Sequence, residues 1–283
     1  DMGMPRRVLN VIFHPRPNSI LFWDAMVLTG YFTLNLLISS TSLYYEHRRE
    51  HHPGWLKPFV YLSIPWAISI HTVTAFLYAG LPGRHFWLTA IMAPRFLASA
   101  FAAGPAFLIL CLYVVRRVSR FDPGERAIRT LAKIVTYAMV TNVFFLLLEV
   151  FTAFYSQIPG HMTPFVYLFS GLEGHGRLVP FMRLSVVLAV VSVALLIPSR
   201  TRNNPTTLAI ACASLFVSLL LEKGFGLIVG GFVPNPLERV VEYWPTLPET
   251  VITLGIWAIG LLILTVGYKI ALAVREEELA EAV

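Results

Sequence analysis

Charged residues are scarce in this chain of 283 residues. Asp, Glu, Lys and Arg together make up 13% of the sequence, which is about half the share of an ordinary soluble domain. Hydrophobic residues make up 56%, and the mean hydropathy is +0.67. A chain with so little charge has too little polar surface for an ordinary soluble enzyme or binding module. The composition therefore predicts a polytopic membrane protein.

Cysteine and buried histidine are also rare. The two cysteines, Cys111 and Cys212, lie in apolar stretches and form no CxxC pair, so we expect no iron–sulfur cluster and no metal site within this chain. Of the eight histidines, only His71 lies deep in an apolar stretch. A membrane b-type haem usually needs two axial histidines on facing helices, so we expect no haem either.

Seven stretches are long and apolar enough to span a bilayer, which requires roughly 20 residues. Their continuous runs favour helices over barrel strands, which would alternate over about 10 residues. The sequence therefore predicts an all-α, polytopic transmembrane helix bundle that forms one integral membrane domain over residues 1–283. We name the stretches segments a to g, at about 19–44, 57–80, 87–115, 128–155, 178–198, 206–231 and 249–273.

Basic residues in the connections predict the orientation of the chain. The formal net charge is +6, but Lys and Arg lie between hydrophobic segments, so we expect a lipid membrane and no nucleic acid as the partner. Most of them fall on one side, above all in "RRVSRFDPGER" between segments c and d. The richer side is expected to be cytoplasmic. The sequence therefore predicts a multi-pass protein of the cytoplasmic (inner) membrane with its C-terminus on the cytoplasmic side. The first residue is Asp1, and we expect further helices upstream.

Ionisable side chains recur at similar depth in five segments, in the half that this orientation places outside. Each is costly in hydrocarbon and is therefore a functional hypothesis. Structural alternatives are an interfacial carboxylate at Asp24, an outward-snorkelling Arg95, a hydrogen-bonded core histidine at position 71 and a simple interfacial pair at Glu222 and Lys223. The set comprises Asp24 in a, His71 in b, Arg95 in c, Glu149 in d, and the adjacent Glu222 and Lys223 in f.

His71 lies in "SIHTVTAFLYAGLPGRHFW", with Ser69 and Thr72 as polar neighbours. A neutral imidazole can donate and accept hydrogen bonds and can exchange a proton near neutral pH. These properties suit a quinone carbonyl, which needs a donor on reduction and an acceptor for the quinol proton. His71 is therefore our candidate quinone contact.

The same stretch, followed by "APRFLASAFAAGPA", resembles the NrfD family, also called the polysulfide reductase membrane-subunit family. The resemblance covers nearly the whole chain. Later stretches such as "LEKGFGLIVGGFVPNPL" are most similar to the DsrP branch of sulfate reducers and sulfur oxidisers. The hydrogenase branch of the HybB type is the near alternative.

The resemblance implies a quinone-reactive subunit with two four-helix-bundle halves and without its own redox metal. It implies menaquinone as the cofactor and, as the partner, a ferredoxin-like iron–sulfur subunit on the external, periplasmic face. Further membrane subunits are implied, with a cytochrome b as a candidate. His71 matches the "S-x-H" position of the family. Some relatives carry an acidic residue shortly afterwards, where this chain has Thr74, Ala75 and Phe76.

We therefore predict a subunit that exchanges electrons between menaquinone or menaquinol and an external iron–sulfur subunit, in a respiratory complex linked to dissimilatory sulfur metabolism. Alternatives are a proton or ion translocator, a HybB-like subunit and a membrane anchor. The chain alone would not be a complete enzyme. The predicted roles are catalysis by His71, Asp24 and Glu149, quinone binding by His71, Arg95, Ser69 and Thr72, and proton relay by Glu149, Glu222 and Lys223.

Overall fold

The helices of the chain follow its apolar segments closely. The structure is a computed structural model that describes residues 5–119, 122 and 124–280. Four residues named or quoted above lie outside the described residues, namely Asp1 and, in the basic c–d connection, Arg120, Phe121 and Pro123. In the described part the α-helices are α1 (Asn10–Phe13), α2 (Ile20–Arg48), α3 (Leu56–Ala79), α4 (Met92–Val118), α5 (Glu125–Tyr155), α6 (Pro159–Ser170), α7 (Val179–Leu196), α8 (Ser199–Arg202), α9 (Pro205–Leu221) and α10 (Leu247–Ala280).

Seven helices in this part of the chain are long and apolar enough to cross a membrane. They are α2, α3, α4, α5, α7, α9 with its continuation to Phe232, and α10. Each corresponds to one of the segments a to g. The prediction of a polytopic transmembrane helix bundle is confirmed.

Three local features differ from the sequence-based expectation. Helix α4 begins at Met92 rather than near residue 87, because the residues before it form turns. Segment f is not one regular helix: α9 is followed by a π-helical segment, Glu222–Val229, and by a short 3-10 helix, Gly230–Phe232. The connection between d and e contains α6, which starts at a helix-compatible proline but is too short to span a bilayer.

The chain divides into two compact units, and α3 runs from the first into the second. Unit 1 comprises Asp1–Ile70 and Tyr243–Val283. Within it, α2 contacts α10, and Trp66 of α3 donates a hydrogen bond from Nε1 to the carbonyl oxygen of Val27 in α2 at 2.9 Å. Unit 1 thus holds α2, α10 and the larger part of α3.

Unit 2, His71–Glu242, contains a four-helix bundle of α4, α5, α7 and α9. The most extensive contacts join α4 with α5, α7 with α9, and α4 with α9. Ala98, Ala102 and Ala106 are buried at four-residue spacing on α4, which allows a neighbouring backbone to approach closely. This unit matches one of the two expected four-helix halves.

Glu242 fixes the connections at one end of unit 2. Its Oε1 accepts hydrogen bonds from the hydroxyl of Tyr167 at 3.1 Å and from the backbone N–H of Arg177 at 2.9 Å. The Nε of Arg177 lies 3.6 Å from Oε2. The link holds α6 and the segment after it to the residues that follow the π-helical segment.

Candidate functional site

Arg95 lies at the centre of a buried group of charges. It is in the first turn of α4 and is 2% exposed. One terminal nitrogen of its guanidinium donates to Oε2 of Glu149 in α5, and the other donates to Oε1 of Glu222 in the π-helical segment. Both carboxylates are buried as well. The guanidinium therefore connects three elements that are far apart in the sequence.

Lys223 completes this group, which we call the ion cluster: Arg95, Glu149, Glu222 and Lys223. Its Nζ lies 3.5 Å from Oε1 of Glu222 and 5.1 Å from the centroid of the Phe96 ring. Two cations face two carboxylates, so the cluster carries no net charge. Such a balance is what makes buried charge tolerable in a low-dielectric interior.

The π-helical segment is anchored by Trp87, which is 1% exposed. Its Nε1 donates to the carbonyl oxygen of Leu227 at 2.7 Å, and a Cβ on Gly231 would lie 2.1 Å from the same nitrogen. Nearby, Arg84, which follows Leu81-Pro82-Gly83 after α3, donates to the carbonyl oxygen of Phe232 at 3.0 Å. The connection between α3 and α4 thus holds the helix end that carries Glu222. Widened turns of this kind occur frequently at functional sites.

A cavity of about 400 Å³ lies on the Lys223 side of the ion cluster, and we call it the His71 cavity. Aromatic rings form part of its wall, with Tyr78 6.0 Å from Phe96 between ring centroids. It therefore combines an imidazole, an ammonium group and hydroxyls with apolar walls. Its polar lining residues are His71, Thr74, Tyr78, Ser99 and Lys223.

A larger cavity of about 620 Å³ lies on the Glu222 side and is lined mainly by α5 and α7; we call it the α5–α7 cavity. Arg95, Asn142 and Glu222 contribute to its wall. Asn142 is 1% exposed, and it lines this cavity together with Glu222. Asn142 is not among the residues predicted from the sequence, although it precedes Glu149 by seven residues. That spacing is close to two helical turns and places both residues on one face of α5.

The structure brings together four of the predicted site residues in the ion cluster and places His71 in a cavity with one of them, Lys223. Thr72 is not among the described residues that line this cavity, whereas Thr74 is. The roles assigned to the cluster residues, His71 and Thr72 remain predictions.

Two other predicted residues belong to unit 1. Ser69 donates from Oγ to the carbonyl oxygen of Trp66 in its own helix at 2.7 Å. Asp24 is half-buried near the start of α2. Their roles also remain predictions. Across the described residues, no group of three or more His, Cys, Asp or Glu side chains is placed to hold a metal ion.

Comparison with known proteins identifies the family. The family model described as "Polysulphide reductase, NrfD" matches residues 1–234, and the chain therefore belongs to the NrfD family. It is 23% identical to the "Hdr-like menaquinol oxidoreductase integral membrane subunit" of Archaeoglobus fulgidus, over 100% of this chain and 73% of that protein. It is 21% identical to a subunit of the selenate reductase of Mesobacillus selenatarsenatis, over 95% of this chain and 72% of that protein.

Proposed function

We propose that this chain is the quinone-reactive membrane subunit of a respiratory oxidoreductase complex. In this proposal it exchanges electrons between menaquinol or menaquinone and an external iron–sulfur subunit. The observation that carries the proposal is the His71 cavity, where a histidine and a lysine share an aromatic-walled space. Family membership supports it, as does the menaquinol oxidoreductase subunit among the relatives.

The His71 cavity fits the head of a quinone in size and chemistry. Its volume of about 400 Å³ lies within the usual range for small-molecule sites, about 300–1,000 Å³, which are mostly apolar with a few placed polar groups. The rings of Tyr78 and Phe96 offer faces for an aromatic head. The imidazole of His71 can donate to a carbonyl oxygen or accept a proton from a hydroxyl.

Protons would move between the His71 cavity and the ion cluster. Oxidation of a quinol to a quinone releases two protons and two electrons, and in our proposal the electrons pass to the iron–sulfur partner. His71 takes up these protons one at a time and passes each of them on through Lys223, which lines the same cavity, to Glu222. Arg95 holds Glu222 and Glu149 in place. Asp24 belongs to the proposed relay because of its position in the sequence alone.

The link to sulfur metabolism and the orientation in the membrane are proposed from the sequence alone. The resemblance to the DsrP branch supports a link to dissimilatory sulfur metabolism, with the HybB type as the alternative. The distribution of Lys and Arg supports a cytoplasmic C-terminus for a chain that lies in the cytoplasmic membrane. The resemblance to the DsrP branch supports an iron–sulfur partner on the external face.

The test is His71→Ala in the assembled complex in native membranes. General acid–base catalysis contributes about 10²–10⁴-fold to a rate, so we expect menaquinol-linked electron transfer to fall by at least about a hundredfold. Copurification of the partner subunits should be unchanged. His52→Ala, in the exposed α2–α3 connection, is the control and should keep the wild-type rate. Full activity in His71→Ala would mean that the site is elsewhere.

A second candidate, a proton translocator, is favoured by one observation. The ion cluster lies between two cavities, because Glu222 lines one and Lys223 lines the other. Proton transport by the purified protein in liposomes without any redox substrate would support it. Quinone that copurifies with the protein and is lost in His71→Ala would favour the first candidate.

A further inference from the structure

One end of unit 2 is strongly basic. Thr136 of α5 donates from Oγ1 to the carbonyl oxygen of Leu196, the last residue of α7, at 3.4 Å. The end of α4 and the start of α5 therefore lie at the same end of the bundle as α8. The described residues here include two carboxylates and seven Lys or Arg side chains. We call them the basic end: Arg116, Arg117, Asp122, Glu125, Arg126, Arg129, Lys133, Arg200 and Arg202.

Arg202 is fixed at this end by the last turn of α7. Its Nη1 donates to the carbonyl oxygens of Leu196 at 2.9 Å and Ile197 at 3.2 Å. Carbonyls at a helix end have no partner within their own helix and attract cations. Thr136 contacts the same oxygen of Leu196, and Lys133 precedes Thr136 by three residues, which makes the two neighbours on the surface of α5. Cations from α8 and α5 are thus brought together at the end of α7.

The carboxylates of the basic end are already paired. Oε2 of Glu125 accepts a hydrogen bond from Nη2 of Arg129 at 2.7 Å, and the charged atoms of Asp122 and Arg116 are 3.6 Å apart. The other five cations have no carboxylate partner among the described residues. Like charges concentrated in this way repel one another, so an anionic partner should stabilise this end. The five are Arg117, Arg126, Lys133 and Arg200, which are exposed, and Arg202, which is half-buried.

Apolar side chains beside these cations favour a lipid as the partner. Ile197 is 55% exposed and directly follows the apolar run of α7, with Arg200 three residues later. On α4, Val118 is 82% exposed and follows Arg116 and Arg117. An acidic protein would neutralise the cations and leave this apolar surface uncovered. A phospholipid covers it with acyl chains and brings its phosphate to the cations.

The chemistry of the cations suits a phosphate. A guanidinium carries five N–H donors in a planar fork that matches phosphate oxygens. Arg202 donates to the α7 carbonyls from Nη1, which leaves its Nη2 and Nε for a phosphate in the described part of the chain. We propose that the basic end binds an anionic phospholipid, whose phosphate contacts Arg202, Lys133 and Arg200 at the end of α7. A zwitterionic lipid binds less well, because its ammonium group meets the same positive charge. The site is separate from the His71 cavity and does not depend on the proposed function.

Lipid retention tests the proposal. The full chain is purified in a non-ionic detergent and mixed with equal amounts of phosphatidylglycerol and phosphatidylcholine, and the retained lipids are counted by native mass spectrometry. We expect wild type to retain phosphatidylglycerol in preference to phosphatidylcholine. Lys133→Gln combined with Arg200→Gln removes two exposed cations and keeps Arg202. Each Lys or Arg near an anionic headgroup changes binding by about fivefold, so the affinity for phosphatidylglycerol should fall by about 25-fold.

Arg183→Gln combined with Arg239→Gln is the matched control. It removes the same charge from two exposed side chains at the opposite end of unit 2, and it should bind phosphatidylglycerol as wild type does. Lys133→Arg combined with Arg200→Lys keeps both charges and should also bind as wild type does. All four positions are exposed, so we expect every variant to fold.

Four results would overturn the proposal. Wild type could retain the two lipids equally. The variant with Lys133→Gln and Arg200→Gln could lose no more phosphatidylglycerol than the control. Inorganic phosphate could displace phosphatidylglycerol, which would mean that the site recognises the ion and not a lipid. Binding of polyglutamate without any preference for phosphatidylglycerol would identify an acidic polypeptide as the partner instead.

Discussion

Replacing Arg95 with methionine removes a side chain that contacts both carboxylates of the ion cluster. Methionine fills a similar volume, so the loss of charge dominates over the loss of packing. The remaining cluster would hold Glu149 and Glu222 with Lys223 as its only cation, and Lys223 contacts Glu222. One buried carboxylate is then left without compensation.

The expected loss of stability follows from that single charge. Removing one partner of a buried ion pair costs about 3–5 kcal/mol. The loss of stability has an upper limit, because the uncompensated glutamate can take up a proton instead. With an ordinary pKa of about 4.3, protonating a glutamate at pH 7 costs about 3.7 kcal/mol, at 1.36 kcal/mol per pH unit. We therefore expect a loss of about 3–4 kcal/mol at pH 7. This upper limit is smaller at lower pH and is about 1 kcal/mol at pH 5.

Equilibrium unfolding in mixed detergent micelles at pH 7 and pH 5 measures these losses. The double variant Arg95→Met with Glu149→Gln restores the charge balance, so it should be more stable than Arg95→Met alone by about 2 kcal/mol or more at pH 7. Arg116→Met is the control in the same helix. Its side chain is 44% exposed and lies 3.6 Å from Asp122, so it should cost at most about 1 kcal/mol.

Three results would refute this reasoning. Arg95→Met could unfold within about 1 kcal/mol of wild type, although buried charges of this kind normally show a larger effect. Its loss of stability could be the same at pH 7 and pH 5. The double variant could be no more stable than the single one. Each would mean that charge balance does not stabilise this part of the bundle.

Two further predictions concern the end of unit 2. Gly231→Ala would place a Cβ 2.1 Å from Nε1 of the buried Trp87, so we expect overpacking to lower the free energy of unfolding by about 1–3 kcal/mol. Gly224→Ala is the control and should cause no loss, because a Cβ there meets nothing within 4 Å. Equal losses in the two variants would contradict the steric explanation. Burial, reinforced by the hydrogen bond to Glu242, raises the pKa of Tyr167 above its ordinary value. The folded protein thus keeps a proton that the unfolded chain loses above about pH 10, so this contribution to stability is present below pH 10 and is lost as the pH rises further. Melting temperatures recorded between pH 8 and 11 should fall less steeply above pH 10 in Tyr167→Phe than in wild type, and parallel curves would contradict the assignment.

The spanning helices could be predicted because hydrocarbon thickness sets their length and each apolar run has the required length. Their ends were less predictable. Trp87 is an apolar residue at the start of the predicted segment c, yet it lies in the turn before α4. There its indole donates a hydrogen bond to the π-helical segment. A π-helical turn has about one residue more than an α-helical turn, and this does not change the pattern of apolar residues noticeably. The sequence therefore did not predict the π-helical segment. Helix α6 was missed because a helix of twelve residues gives no membrane signal.

The candidate site was predicted where charge made residues conspicuous. Arg95, Glu149, Glu222 and Lys223 stood out because ionised groups are rare in apolar segments, and the structure brings them together. Asn142 did not stand out because a neutral amide carries a smaller penalty in hydrocarbon than a charge. Only its spacing from Glu149 pointed to the same helix face. Pairing between helices, such as Arg95 with Glu222, depends on tertiary packing that a single sequence does not encode locally.

The order of Glu222 and Lys223 determines how the two cavities can be separated by experiment. Neighbouring residues of a helix point about 100° apart, and here the first lines the α5–α7 cavity while the second lines the His71 cavity. Because their side chains are 3.5 Å apart, a change in either one alters the charge seen from both cavities. Substitutions in this pair therefore cannot assign a ligand to one cavity. His71 and Asn142 each line only one of the two, so variants at these positions are the ones that can distinguish the sites.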